Sequence, residues 1–328
     1  MNLTVQDLLS ISHVENDLKG LDANKTFRDV STDSRQLKRG DLFVALRGEK
    51  FDGHDYLDAV TETGAVAAIV DSQWAKKAKK RPNLPLIVVE NTLDAHGALA
   101  NVYRKKFKIP ILVVAGSNGK TTTKELLAHV LGTTRGVLKT EANYNNQVGL
   151  PRMLFALRDG HDMAVLEIGT NHPGEIAWLC KVAEPTHAIV TNVGREHLEF
   201  FKDLKGVAAE ERAAFDYVAE HGGTAFINMD DKYLASAKKQ FGDKAETFGT
   251  TPTAEIFARF LGYTKDNRLE LRVGAEDKSF KLRTHIIADY APNMIAAAVA
   301  VGLHVAQGGV TDFNAPSARR DVDFLWRD

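Results

Sequence analysis

The stretch VVAGSNGKTTTKELL, residues 113–127, has the residue types that hold a nucleotide phosphate. An apolar run breaks into glycine, asparagine, lysine and three threonines, and a helical pattern follows. In such a loop the backbone N–H groups of Gly116, Ser117, Asn118 and Gly119, with the helix N-terminus, cradle phosphate oxygens. Lys120 supplies a point charge, Thr121 a hydroxyl for a magnesium ion, and Thr122 completes the candidate nucleotide-binding run. The general phosphate-loop pattern needs glycine at position 114, where Val114 stands, so this loop is a shorter form. A glycine turn without ligand is the plain alternative; the strand and helix signals on either side favour the phosphate site.

Three further groups have chemistry to offer. Glu167, in AVLEIGTNHPGEI, falls at the carboxyl end of a buried strand, where an unpaired charge is costly. A hard divalent ion bridging Glu167, Thr121 and nucleotide oxygens accounts for it; a salt bridge at a sheet edge is the alternative. Glu196 and His197, in TNVGREHLEFF, also follow a buried strand and approach the same edge as Lys120 and Glu167. A lone loop histidine is more often a hydrogen-bonding residue than a ligand, and the shared edge reverses that preference. Asn145 and Asn146 belong to the amide-rich TEANYNNQVGLPR, which suits sugar hydroxyls and peptide carbonyls and is equally at home in plain turns. Ser34 and Arg35, in STDSRQLKRGDLFVALRG, read as an anion grip or as a solvated loop.

The elements that must position these residues fall into two sets. Residues 1–106 give strand signals in GDLFVALRG, AVAAIVD and PLIVVE, a short helix in HDYLDAVTETG and an amphipathic helix in TLDAHGALANVYRKKF. From 107 to 315 strands and helices alternate. IPILVVAG, DMAVLEIG, THAIVTNVG and GTAFINMD are buried strands; TTKELLAHVLG, PGEIAWLCKVA and KGVAAEERAAFDYVAE are helices. That rhythm predicts a doubly wound, mostly parallel sheet with ligands beyond the carboxyl ends of its strands. Residues 254–275 read as an added antiparallel hairpin, and NMIAAAVAVGLHVA as a small-residue helix. The fold class is therefore α/β, a small N-terminal domain followed by a central domain that holds the phosphate loop.

Bulk properties narrow the classes. A chain of 328 residues is too long for one core, and its hydrophobic (44%) and charged (26%) contents are those of a soluble globular protein. A net charge of −1 disfavours a dedicated nucleic-acid or acidic-membrane binder. The single Cys180 excludes an internal disulfide, and Cys/His zinc spacing is absent. Signal-peptide features and a bilayer-length apolar run are lacking. The expectation is a monomeric cytoplasmic protein with no membrane insertion.

Taken together and in order, DSRQLKRGDLFVALRGEKFDGHDYL, GSNGKTTTKE, NYNNQVGLP, LEIGTNHPGEI, TNVGREHLEFF and INMDD resemble the Mur ligases from about Phe27 to Arg319. The run EIGTNHPGEI favours the branch that joins D-alanyl-D-alanine to UDP-N-acetylmuramoyl-tripeptide during peptidoglycan precursor synthesis. The resemblance implies ATP and Mg2+: ATP phosphorylates the tripeptide carboxylate, and the D-alanyl-D-alanine amine attacks the acyl phosphate. It implies one magnesium at Thr121 and Glu167, a second near His197, the UDP-sugar-peptide at Ser34, Arg35, Asn145 and Asn146, and adenine at Asn293. Lys120, Glu167 and His197 are the catalytic candidates.

Departures accompany the resemblance. Glu211 stands where the family carries a carbamylated lysine; it is a substitute anionic metal ligand or a helix-surface carboxylate in the run Glu210-Glu211-Arg212. Glu196 replaces a small residue, and IADYAPN replaces the family's usual approach to the adenine asparagine. Residues 316–328 read as the start of a linker to a C-terminal domain that the family uses to close over ATP, so the expectation is substrate binding with weak ligation. Two rivals remain: another amide ligase of the superfamily, such as a folylpolyglutamate-synthase-like enzyme, and a non-catalytic module that binds nucleotide or UDP-linked precursor.

Overall fold

The computed structural model describes residues 1–11, 16–17, 20–251, 253–275, 278–286 and 288–306. They form two compact units, one of residues 1–108 with 147–158, the other of 109–146 with the described residues from 159 onward. The division at Lys108 and Ile109 lies two residues beyond the expected boundary at 106, and Gln147–Arg158 departs from the expectation by joining the first unit. The helix Gly149–Phe155 in that segment buries Leu150, Met153, Leu154 and Phe155 and packs on the helix Thr92–Arg104. Its partner is remote in sequence, so no local pattern assigns it. The expected linker, 316–328, lies outside the described residues.

The first unit contains β1 (Asn16–Asp17), β2 (Val30–Ser31), β3 (Leu42–Val44), β4 (Ala67–Asp71) and β5 (Leu86–Val89). Their order is β1-β5-β4-β3-β2, with β1 antiparallel and the others parallel. Every residue of β3, β4 and β5 is buried, as the continuous apolar runs require. The helix Leu57–Thr63 stops at Gly64, whose φ of +86° is the left-handed conformation that glycine adopts without strain.

The second unit is a nine-stranded sheet of β6 (Ile111–Ala115), β7 (Val137–Lys139), β8 (Met163–Glu167), β9 (His187–Val190), β10 (Thr224–Asn228), β11 (Ala245–Gly249), β12 (Ile256–Tyr263), β13 (Leu269–Ala275) and β14 (Lys278–Thr284). The order is β14-β13-β12-β11-β10-β9-β6-β8-β7. Pairing is parallel from β7 to β12 and antiparallel from β12 to β14. The protein is thus α/β with a doubly wound, mostly parallel sheet. The added antiparallel element is a three-stranded meander rather than the expected two-stranded hairpin. Its third strand, KSFKLRT, has no buried residue and so lacks an apolar signature.

The central strands β6, β8 and β9 are buried along their whole length, because helices cover the sheet. The helix Ala291–Ala306 is rich in alanine and contains Gly302, and these small residues let it lie close against β11, β12 and the helix Lys120–Gly132. The helices Glu175–Ala183 and Leu204–Glu220 pack on each other, the second also on β9 and β10. Register decides what emerges at the rim: Val114 pairs with Glu167 on one side of β6, and Ala115 with Val190 on the other. Glu167, the glycine loop and Thr191 therefore leave the sheet side by side.

Candidate active site

Gly116 and Gly119 hold the loop open through left-handed φ values of +115° and +79°. At Gly116 a Cβ would stand 2.2 Å from Thr191 Oγ1 and 2.7 Å from Thr191 N, so the close approach to the end of β9 requires glycine. Gly119 is the N-cap of the helix Lys120–Gly132, and no side chain caps that helix. Its first N–H groups and the positive end of its dipole are left to an anion.

The residues after β9 fasten this loop. Thr191 Oγ1 donates to Asn118 O at 2.7 Å; Asn192 Nδ2 donates to the same carbonyl at 2.8 Å, and Asn192 Oδ1 accepts from Asn118 N at 3.2 Å. Ser117 N donates to Asn192 O at 2.9 Å, and Gly194 N to Ser117 Oγ at 2.8 Å. The brace is itself supported: Asn228 Nδ2 donates to Thr191 O at 2.7 Å and Val193 N to Asp231 Oδ2 at 2.7 Å. Sequence reasoning used TNVGREHLEFF for Glu196 and His197 and missed Thr191 and Asn192. The available signal was a Thr-Asn pair at the end of an otherwise apolar strand, where buried polar groups must find partners. Lys120 Nζ donates to Gly116 O and, at 3.4 Å, to Ser117 O, so the ammonium lies over the loop.

Glu211 is fully buried, which overturns its reading as a helix-surface carboxylate. Its Oε2 accepts from Gly116 N at 2.6 Å, tying the helix Leu204–Glu220 to the phosphate loop. Burial pushes its carboxyl up to about 8; the Lys120 ammonium opposes the rise and the Glu196 carboxylate adds to it. Its neighbour Glu210, also buried, accepts from Gly174 N at 2.7 Å and Ile176 N at 2.9 Å, satisfying the start of the helix Glu175–Ala183. Helical periodicity alone cannot distinguish these inward carboxylates from solvated ones.

Glu167 is 3% exposed. Its backbone N–H donates to Thr140 Oγ1 at 2.8 Å and its Oε1 accepts from Asn145 Nδ2 at 2.9 Å. Its Oε2 is buried with no hydrogen-bond donor. A hard oxygen atom held in this way suits a magnesium ion, and the Thr121 hydroxyl, exposed at the start of the loop helix, is of the same donor class. His197, in left-handed conformation with φ +45°, precedes the short helix Leu198–Phe201; its Nδ1 is 3.8 Å from Glu199 Oε1. Among the described residues no group of three or more His, Cys, Asp or Glu side chains is placed to hold a metal, so Glu167, His197 and Glu211 do not form a ligand cage by themselves.

Asn293 opens the helix Ala291–Ala306 and donates to Asn228 Oδ1 at 3.2 Å and Asp230 Oδ2 at 2.8 Å. With Asn118, Asn192, Tyr290 and Met294 it lines a shallow recess beside the loop. Asn146 is exposed, and Thr122 is exposed in the first turn of the loop helix. In the first unit Ser34 lies in a turn, and Arg35 makes a two-pronged contact with Asp33, at 2.9 Å from both Nε and NH2.

The profile of the Mur ligase middle domain matches residues 114–301. The chain belongs to the Mur ligase family. A second profile, of the Mur ligase family catalytic domain, matches residues 26–114 of this Mur ligase chain. It is 36% identical over 243 residues to the UDP-N-acetylmuramoyl-tripeptide–D-alanyl-D-alanine ligase of Synechocystis, covering 74% of this chain and 51% of that protein. It superposes on MurF from Acinetobacter baumannii with TM-score 0.80 and 28% identity, over 93% of this chain and 65% of that one. MurF ligase from Thermotoga maritima, solved in complex with ADP, superposes with TM-score 0.75 and 28% identity, over 88% and 66%. The Mur ligase chain spans about half the length of the curated relatives it matches. Among the described residues no helix is long and apolar enough to cross a membrane.

Proposed function

We propose that this chain provides the nucleotide and UDP-substrate sites of an ATP-dependent ligase that adds D-alanyl-D-alanine to UDP-N-acetylmuramoyl-tripeptide. The observation that supports it best is the glycine loop at the rim of β6, with Lys120 over it and the half-partnered Glu167 carboxylate emerging from the neighbouring strand. The similarity to D-alanyl-D-alanine ligases supports the choice of reaction.

In this reading ATP and the tripeptide carboxylate, both anionic, must be brought together. Lys120 exchanges its two carbonyl acceptors for phosphate oxygens, and the uncapped N–H groups of the loop helix stabilise charge spreading over the transferred phosphoryl group. Phosphoryl transfer to the carboxylate gives an acyl phosphate and ADP; the amine then attacks the acyl carbon and phosphate leaves. Thr121 and Glu167 would hold a magnesium ion, with His197 as the family-implied residue toward a second and Glu211 standing in place of the family's carbamylated lysine; such ions neutralise phosphate charge. Glu211, whose Oε2 meets Gly116 N–H, fixes the loop in either case. Asn293 and the recess beside Asn118 are assigned to adenine, and the Ser34–Arg35 turn of the first unit to the UDP-linked substrate.

Calorimetry with a non-hydrolysable ATP analogue and with UDP-N-acetylmuramoyl-tripeptide tests the two binding assignments. Phosphate release stimulated by D-alanyl-D-alanine tests the reaction. A chain that binds neither ligand contradicts the assignment, and stimulation by a folate substrate instead would move the chain to another branch.

A further inference from the structure

The amide-rich segment before Gln147 offers its side chains to Glu167. Asn145 Nδ2 donates to Glu167 Oε1 at 2.9 Å, and Thr140 Oγ1 accepts from Glu167 N at 2.8 Å. Both supports are fixed in turn. Asn145 N donates to Asn143 O at 2.8 Å, and Asn145 O accepts from Gly169 N at 2.9 Å. A Cβ on Gly169 would come within 3.3 Å of Asn145 Nδ2, so the carboxamide packs close beside that residue. Thr140 O accepts from the ammonium of Lys124 at 2.7 Å; Lys124 is 2% exposed and comes from the loop helix. Lys124 of the phosphate-loop helix thus braces Thr140, which holds the Glu167 backbone, while Asn145 reaches the Glu167 carboxylate.

The terminal torsion of a glutamate is broad, so an unsupported carboxylate swings. Here one oxygen is pinned and the other, Oε2, is buried with no donor. We infer that Asn145 is a positioning residue that orients Glu167 to present Oε2 to a divalent cation, rather than a contact for the UDP-linked substrate. The inference rests on the proposed nucleotide site. Removing an outer partner of a metal-binding carboxylate costs roughly 10–100-fold in metal affinity.

The test uses Mn2+ as probe, its free signal followed by electron paramagnetic resonance in the presence of a non-hydrolysable ATP analogue. Asn145→Ala is expected to weaken Mn2+ binding by roughly 10–100-fold, while analogue affinity in chelator stays within about threefold of the parent. Gly169→Ala, which presses on the same carboxamide, should weaken Mn2+ by a smaller factor and reads the same bracket if Asn145→Ala does not fold. Unchanged Mn2+ affinity in both variants overturns the inference. So does an Asn145→Ala protein that loses only UDP-substrate affinity, because the residue would then be a contact. A parent chain that binds neither analogue nor Mn2+ fails at the function itself, which separates the two failures.

Discussion

Replacing Gly116 with alanine puts a methyl group into a contact that the fold cannot widen cheaply. The new Cβ would lie 2.2 Å from Thr191 Oγ1, 2.7 Å from Thr191 N and 3.1 Å from Asn192 N. Two of those atoms are backbone at the end of β9, so rotating a side chain does not relieve the clash. The residue must also keep φ +115°, a region that L side chains rarely adopt. The backbone conformation costs about 1–3 kcal/mol, and overpacking costs about another 1–3 kcal/mol. A loss of roughly 2–6 kcal/mol in a unit of this size lowers the melting temperature by roughly 5–20 °C. If the loop relaxes instead, Gly116 N moves off Glu211 Oε2 and the phosphate nest opens, so nucleotide-analogue affinity falls as well. The assay is paired thermal melting and calorimetry, with Gly132→Ala as the control. Gly132 closes the same helix, has nothing within 4 Å of the added Cβ and no left-handed φ, so that change should stabilise by up to about 1 kcal/mol. Should Gly116→Ala melt with the parent and bind the analogue as tightly, the tight bracing of the loop by Thr191 is wrong and the site built on it fails.

Lys120→Ala removes the loop's ammonium and should weaken ATP-analogue binding by about 10–100-fold, the worth of a charge-assisted hydrogen bond, in calorimetry. Glu211→Gln keeps an acceptor for Gly116 N–H and should unfold in urea near the parent, whereas Glu211→Ala strands that N–H and should cost about 1–3 kcal/mol; equal effects would show that the contact is not formed. In the first unit, complete burial depresses His96 from 6.5 to about 4. The unfolded chain therefore binds the proton more readily than the folded one between those values. The stability contributed by neutral His96 is present above pH 6.5 and is lost as the pH falls to 4. Over 2.5 pH units at about 1.36 kcal/mol each, the parent should lose about 3 kcal/mol relative to His96→Leu, measured as unfolding free energies at pH 7 and 4. A difference that does not change with pH would mean that the ring is hydrated.

The sequence by itself determined the phosphate loop, the buried strands that carry it and the fold class. These are local properties: β6, β8 and β9 read as mostly apolar runs, Gly116 and Gly119 mark left-handed turns, and Lys120 opens a helical period. Only tertiary structure decided where the polar side chains point. Glu210 and Glu211 are adjacent on one helix, and both turn inward because backbone N–H groups from two different loops meet them there. Thr191 and Asn192 became the brace of the loop through pairing of β9 with β6, a contact between residues far apart in the chain. Asn145 turned to Glu167, and Gln147–Arg158 joined the first unit, for the same reason. A hydrogen bond requires its partner at about 3 Å in a given direction, and a one-dimensional pattern of apolar and polar residues does not encode which distant backbone arrives at that point.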